Sequence, residues 1–164
     1  PRGMALGVTL TAPDDDQVSY TLEDLLAKLN VAVGGRVAEE IVYGTITTGA
    51  ESDIQQLTEI ARQMVGRWGM SDAIGLVAVL PPDGRGALFP GAGDPSQATQ
   101  QLIDDEVRRL IDAAHDEVTA LLTAHRPQLD NLTAALLRAE TLDGIDAYRA
   151  AELPMHANPA SDPD

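Results

Sequence analysis

In the stretch "TTGAESDIQQ", Thr47 to Gln56, one acidic side chain stands where a helical pattern begins: Asp53. A carboxylate at such a place has two uses. It can satisfy the exposed N–H groups and dipole of the helix start, or it can hold a cation. Ser52 followed three residues later by Gln55 reads as a capping box, so spacing alone assigns Asp53 to helix initiation. A first-turn acid contributes about 0.3–1 kcal/mol in that role. Other candidates for chemistry are scarce. The three histidines, His115, His125 and His156, are not paired at the i, i+4 spacing that lets two imidazoles meet one ion, and the chain contains no HExxH. His115 falls near an apolar stripe and reads as a partly buried structural residue. No GxSxG elbow and no Walker-type glycine loop is present. The acidic doublets Glu39–Glu40 and Asp104–Asp105 read as solvated helix faces, because adjacent helical residues point about 100° apart.

The elements that must position these residues are mainly helices. Thr21 is an N-cap for a first helix carrying Leu22, Leu25, Leu26, Leu29, Val33, Val37 and Ile41 at helical spacing, with Gly44 as its stop. Inside it sits "GGR", Gly34 to Arg36. Two interior glycines cost about 1 kcal/mol each relative to alanine, which predicts that another backbone, from a segment ahead of Pro1, crosses close to that spot. A second helix is expected from Asp53 to Trp68, stopped by Gly69, with Ile54, Leu57, Ala61, Met64, Val65 and Trp68 on one face. A loop rich in Gly and Pro follows, with a short strand predicted at 76–80. From Ser96 the stripe Ile103, Val107, Leu110, Ile111, Ala114, Val118, Leu121 and Leu122 predicts a long helix to His125. Pro127 then turns the chain into a helix through Leu129, Leu132, Leu136 and Leu137, giving an antiparallel pair, and a short helix starts from Thr141.

Near the start, "ALGVTL", Ala5 to Leu10, alternates as a short strand entered from a hairpin turn. The expected fold is therefore mostly α, with a strand or hairpin remnant at the N-terminus and a C-terminal helix pair. One domain over residues 1–150 and a disordered tail over 151–164 are expected. Beginning on Pro1 suggests that sequence precedes this segment.

Composition narrows the partners. The chain has 26 acidic and 11 basic residues among 164, a formal charge of -15, and Lys28 is its only lysine. Such a surface repels phosphate backbones and anionic headgroups, so nucleic acid is not expected as a partner. With no cysteine, disulfides and thiolate metal sites are excluded. No apolar run is long enough to span a bilayer.

The blocks "PRGMALGVTL", "GGRVAEEIVYG", "TTGAESDI", "IARQMVGRWGMSDAIG", "IDDEVRRLI" and "AETLDG", in this order and spacing, closely resemble the peptidase domain of the FtsH family. The resemblance covers Pro1 to about Tyr148, and its TTGA-x-x-D and GGR-x-AEE blocks are highly specific. It implies a membrane-anchored, ATP-dependent AAA+ zinc metalloprotease that degrades unfolded or membrane proteins. It further implies a homohexamer beneath an ATPase ring that uses ATP, with this domain on the cytoplasmic side of the plasma membrane. In that family an HExxH helix gives two zinc-binding histidines and the glutamate that activates water, and an aspartate at the start of a later helix gives the third ligand. By motif match that aspartate is Asp53, and Glu39 stands as a lesser candidate contact. The resemblance also implies that the strand at 5–10 edges the cleft, where an extended substrate adds as a further strand. The HExxH segment and the ATPase would precede Pro1, so this chain alone is expected to be inactive and to hold zinc weakly. The alternative from another class is a catalytically silent helical module that oligomerises or regulates a protease.

Overall fold

Thr21 opens the first helix, α1 (Leu22–Tyr43), with a reciprocal cap in the computed structural model, which describes residues 19–80 and 95–154. The Thr21 hydroxyl accepts from the Asp24 N–H at 3.1 Å, and the Asp24 carboxylate accepts from the Thr21 N–H at 2.8 Å. This satisfies two otherwise orphaned donors. Leu25, Leu29, Val33 and Val37, four residues apart, form the buried stripe of α1. Gly44 ends it, donating its N–H to the Glu40 carbonyl at 2.9 Å.

A single 3-10 turn, Thr48–Ala50, leads into α2 (Glu51–Gly66), which buries Leu57, Ala61, Met64 and Val65. The long helix α3 (Gln97–Ala124) is capped by Ser96, whose hydroxyl accepts from the Thr99 N–H at 3.2 Å, and buries Ile103, Val107, Leu110, Ala114 and Val118. α1, α2 and α3 pack against one another, and their stripes make one core whose most enclosed side chains are Leu29, Val37, Met64, Val65 and Ile103. Full burial of such a side chain contributes about 1.5–3 kcal/mol. α4 (Arg126–Ala139) starts at once after His125, with Pro127 in its first turn, and α5 (Gly144–Ala150) is capped by Asp143. Neither α4 nor α5 buries a residue. The start of α4 is tied to α1 through Arg126, whose Nη1 donates to the Ile41 carbonyl at 3.4 Å.

The helices expected from the sequence are present; α5 starts at Gly144 behind its Asp143 cap rather than at Thr141, and three larger departures occur. α2 begins at Glu51 rather than Asp53, and its N-cap is Ala50 with no side-chain hydrogen bond, so Ser52 does not cap it. The 3-10 turn ahead of α2 shifts the helix start two residues upstream and moves Ser52 into the helix. Second, α2 closes at Gly66 rather than Trp68. Gly69, at φ +65°, does turn the chain back, and the Met70 N–H then reaches the Met64 carbonyl at 3.0 Å. Third, no strand forms at 76–80. The N–H groups of Val79 and Leu80 both donate to the Gly66 carbonyl, at 2.8 and 3.0 Å, which folds this segment onto the end of α2. The expected strand at 5–10 and the tail beyond Pro154 lie outside the described residues. Among those residues no helix is long and apolar enough to cross a membrane.

Candidate metal centre

Asp53 occupies the first turn of α2, exposed, with its carboxylate making no hydrogen bond or ion pair to any described residue. It lines an open groove of about 410 Å³ with Gly35, Glu39 and Tyr43 of α1, Gly49 of the 3-10 turn and Thr133 of α4. The two sequence blocks that stood out, GGR-x-AEE and TTGA-x-x-D, thus meet along one cleft. Local sequence explains why. Gly44 stops α1, and only Thr45 and Ile46 separate it from Thr47, so the chain doubles back across the last turns of α1.

Side chains of α1 hold that reversal. Glu39 accepts from Thr47 twice, from the hydroxyl at 2.8 Å and from the N–H at 3.2 Å. Arg36 donates through Nη1 to the Thr47 carbonyl at 3.4 Å and through Nε to Glu40 at 2.7 Å. The second Glu40 oxygen meets His115 Nε2 of α3 at 3.0 Å. Hydrogen bonds from Arg36, then from His115, hold the Glu40 carboxyl below its ordinary range. The doublet Glu39–Glu40, read from sequence as a solvated face, is instead bonded through both its members. Glu39, offered as a rival metal contact, has both oxygens engaged by Thr47, which leaves Asp53 as the groove acid without a partner among the described residues.

His115 is a structural histidine, as expected, half-exposed and bonded to Glu40. His125 sits at the end of α3, and His156 lies outside the described residues. Among the described residues no three His, Cys, Asp or Glu side chains come together to hold an ion. Asp53 by itself has the donor chemistry that a single carboxylate ligand to a divalent metal would need. It is a hard oxygen donor, without a competing partner among the described residues, and displayed at a helix N-terminus whose dipole favours negative charge.

The glycines expected to admit another backbone are bare. A methyl added at Gly34 or Gly35 would meet nothing within 4 Å among the described residues. Sequence reasoning missed Arg36 and Thr47 as partners. The signal was present in the i, i+3, i+4 spacing of Arg36, Glu39 and Glu40, which puts three charged groups beside a loop too short to leave that face.

The described residues thus form a mostly helical scaffold with this acid in an open cleft. The model for Peptidase family M41 matches residues 1–149. The chain is 63% identical over 153 residues to the "ATP-dependent zinc metalloprotease FtsH 3" of Conexibacter woesei, covering 93% of this chain and 20% of that protein. It is 50% identical over 146 residues to the "ATP-dependent zinc metalloprotease FtsH" of Thermobaculum terrenum, covering 87% of this chain and 23% of the relative. The protein of the same name from Syntrophus aciditrophicus is 49% identical over 158 residues, 94% of this chain and 22% of its own length. The chain belongs to Peptidase family M41. It spans roughly a fifth of the length of these curated relatives.

Proposed function

We propose that this chain is the peptidase portion of an ATP-dependent zinc metalloendopeptidase, and that Asp53 supplies one protein ligand to its zinc. The observation that carries the reading is the Asp53 carboxylate, without a partner among the described residues, in a groove walled by the bare helix at Gly35. The remaining ligands and the general base come from an HExxH helix ahead of Pro1, which seats against Gly34 and Gly35. Zinc bound there would activate water as a nucleophile near neutral pH. This chain's part is to present the carboxylate on a rigid helix end, with Glu39 withdrawn from the metal by Thr47.

The intact protein then works as a membrane-anchored homohexamer, its ATPase delivering unfolded polypeptide to a cytoplasmic peptidase. The exposed leucines of α4, Leu136 and Leu137, suit contacts between subunits. The chain as given contains no HExxH, and we expect it to hydrolyse no peptide and to bind zinc weakly.

The test is Asp53→Ala in the intact protein. Zinc content and casein hydrolysis should both be lost, while thermal unfolding of the metal-free protein stays near wild type. A variant that kept stoichiometric zinc would overturn the assignment.

A further inference from the structure

We propose that Thr47 is a positioning residue for the metal ligand: through Glu39 and Arg36 it fixes the turn that aims Asp53 into the groove. The inference rests on the reading of Asp53 as a ligand and adds what sets its direction.

Asp53 has no side-chain bond of its own to a described residue, so its aim is inherited from the backbone of the first turn of α2. That turn has no cap of its own, because Ala50 at its N-cap lacks a polar side chain. The preceding 3-10 turn is capped by the Thr47 hydroxyl, which accepts from the Gly49 N–H at 3.2 Å. The same hydroxyl donates to Glu39 at 2.8 Å, and the Thr47 N–H donates to the other Glu39 oxygen at 3.2 Å. The Thr47 carbonyl accepts from Arg36 at 3.4 Å. Every polar group of Thr47 is therefore engaged, although the residue is exposed. Its neighbour Thr48 has no side-chain hydrogen bond to a described residue.

The grip continues inward. Arg36 is held by Glu40 at 2.7 Å, and Glu40 by His115 at 3.0 Å, so the turn is referred to α1 and, through it, to α3. A metal ligand must be placed within about 0.5 Å of its working position, and outer hydrogen bonds of this type supply that constraint. Removing the Thr47 hydroxyl takes away both the Gly49 cap and one of the two Glu39 bonds in a single change.

The experiment uses the intact protein, stripped of metal and titrated with Co²⁺ and Zn²⁺ against a chelator. Asp53→Ala, Thr47→Val, Thr47→Ser and Thr48→Val are compared, and thermal unfolding of each metal-free form is recorded. Thr47→Val should weaken metal binding by about tenfold or more and alter the Co²⁺ absorption spectrum. Its metal-free form should still unfold cooperatively, at a temperature somewhat below that of Thr48→Val because a cap is lost, and Thr47→Ser should restore wild-type affinity and spectrum.

Wild-type affinity and spectrum in Thr47→Val, with binding lost in Asp53→Ala, would overturn the positioning role alone. Equal losses in Thr47→Val and Thr47→Ser would also overturn it. Retained binding in Asp53→Ala would overturn the ligand reading and this inference together. Should Thr47→Val not fold, Glu39→Ala serves instead, since it removes both oxygens that accept from Thr47; unchanged affinity there would count against the latch.

Discussion

Substituting Gly66 by alanine sets two effects of opposite sign against each other, and the structure decides between them. Gly66 is the buried last residue of α2, and its carbonyl accepts from both Val79 and Leu80. A methyl at this position would fall within contact distance of Leu80 Cδ1 and Cγ, and 3.3 Å from Leu80 Cβ. Rotating the Leu80 side chain moves Cδ1 away, but it leaves Cβ in place, because the backbone there is held by its hydrogen bond to the Gly66 carbonyl. The segment must therefore back off. Helix propensity favours alanine by about 1 kcal/mol. Against this stand about 1–3 kcal/mol of overpacking and the weakening of two hydrogen bonds contributing about 0.5–1.5 kcal/mol each. We expect Gly66→Ala to destabilise the chain by about 1–3 kcal/mol. Urea unfolding followed by the fluorescence of Trp68, the one tryptophan of the chain, measures it. In a cycle with Leu80→Ala, the alanine at 66 should cost less once the leucine is gone. A Gly66→Ala chain more stable than wild type would show that propensity prevails and that the close approach is not a constraint.

Two further outcomes follow from core and charge. Leu29, 1% exposed at the junction of the three core helices, should lose about 2–5 kcal/mol on replacement by alanine, and a loss under 1 kcal/mol in urea unfolding would mean the site collapses freely. Glu40 is held below its ordinary range by Arg36 and His115, so its contribution is fully present above the unfolded value of about 4.3 and is lost as pH falls through the lower folded value. The stability gap between wild type and Glu40→Gln should accordingly be constant from pH 5 to 6 and shrink toward pH 3; a gap independent of pH would contradict the pairing.

The helices were legible because their signals are local and redundant. α1 and α3 each carry a hydroxyl cap and a stripe of buried aliphatics, and the structure buries the middle of each nominated stripe while leaving Leu22 and Leu121 at the ends exposed. The ends of α2 were not. The capping-box reading of Ser52 failed because Thr47, five residues earlier, starts a 3-10 turn whose cap depends on the neighbouring α1. The strand expected at 76–80 failed because its N–H groups have a helix-end carbonyl to bond to. At the candidate centre, the acid itself was visible from its motif, whereas the bonds of Glu39, Glu40 and His115 join residues 8 and 75 positions apart, which no periodicity reports.

The glycine pair in α1 has a thermodynamic consequence. Two alanines there would favour the helix by about 2 kcal/mol more, and no described neighbour compensates for their lack. Whatever docks on that bare stretch binds the folded form alone, so its occupancy and the resistance of α1 to melting rise together. Heat tolerance of this segment therefore doubles as a gauge of whether the cleft is filled.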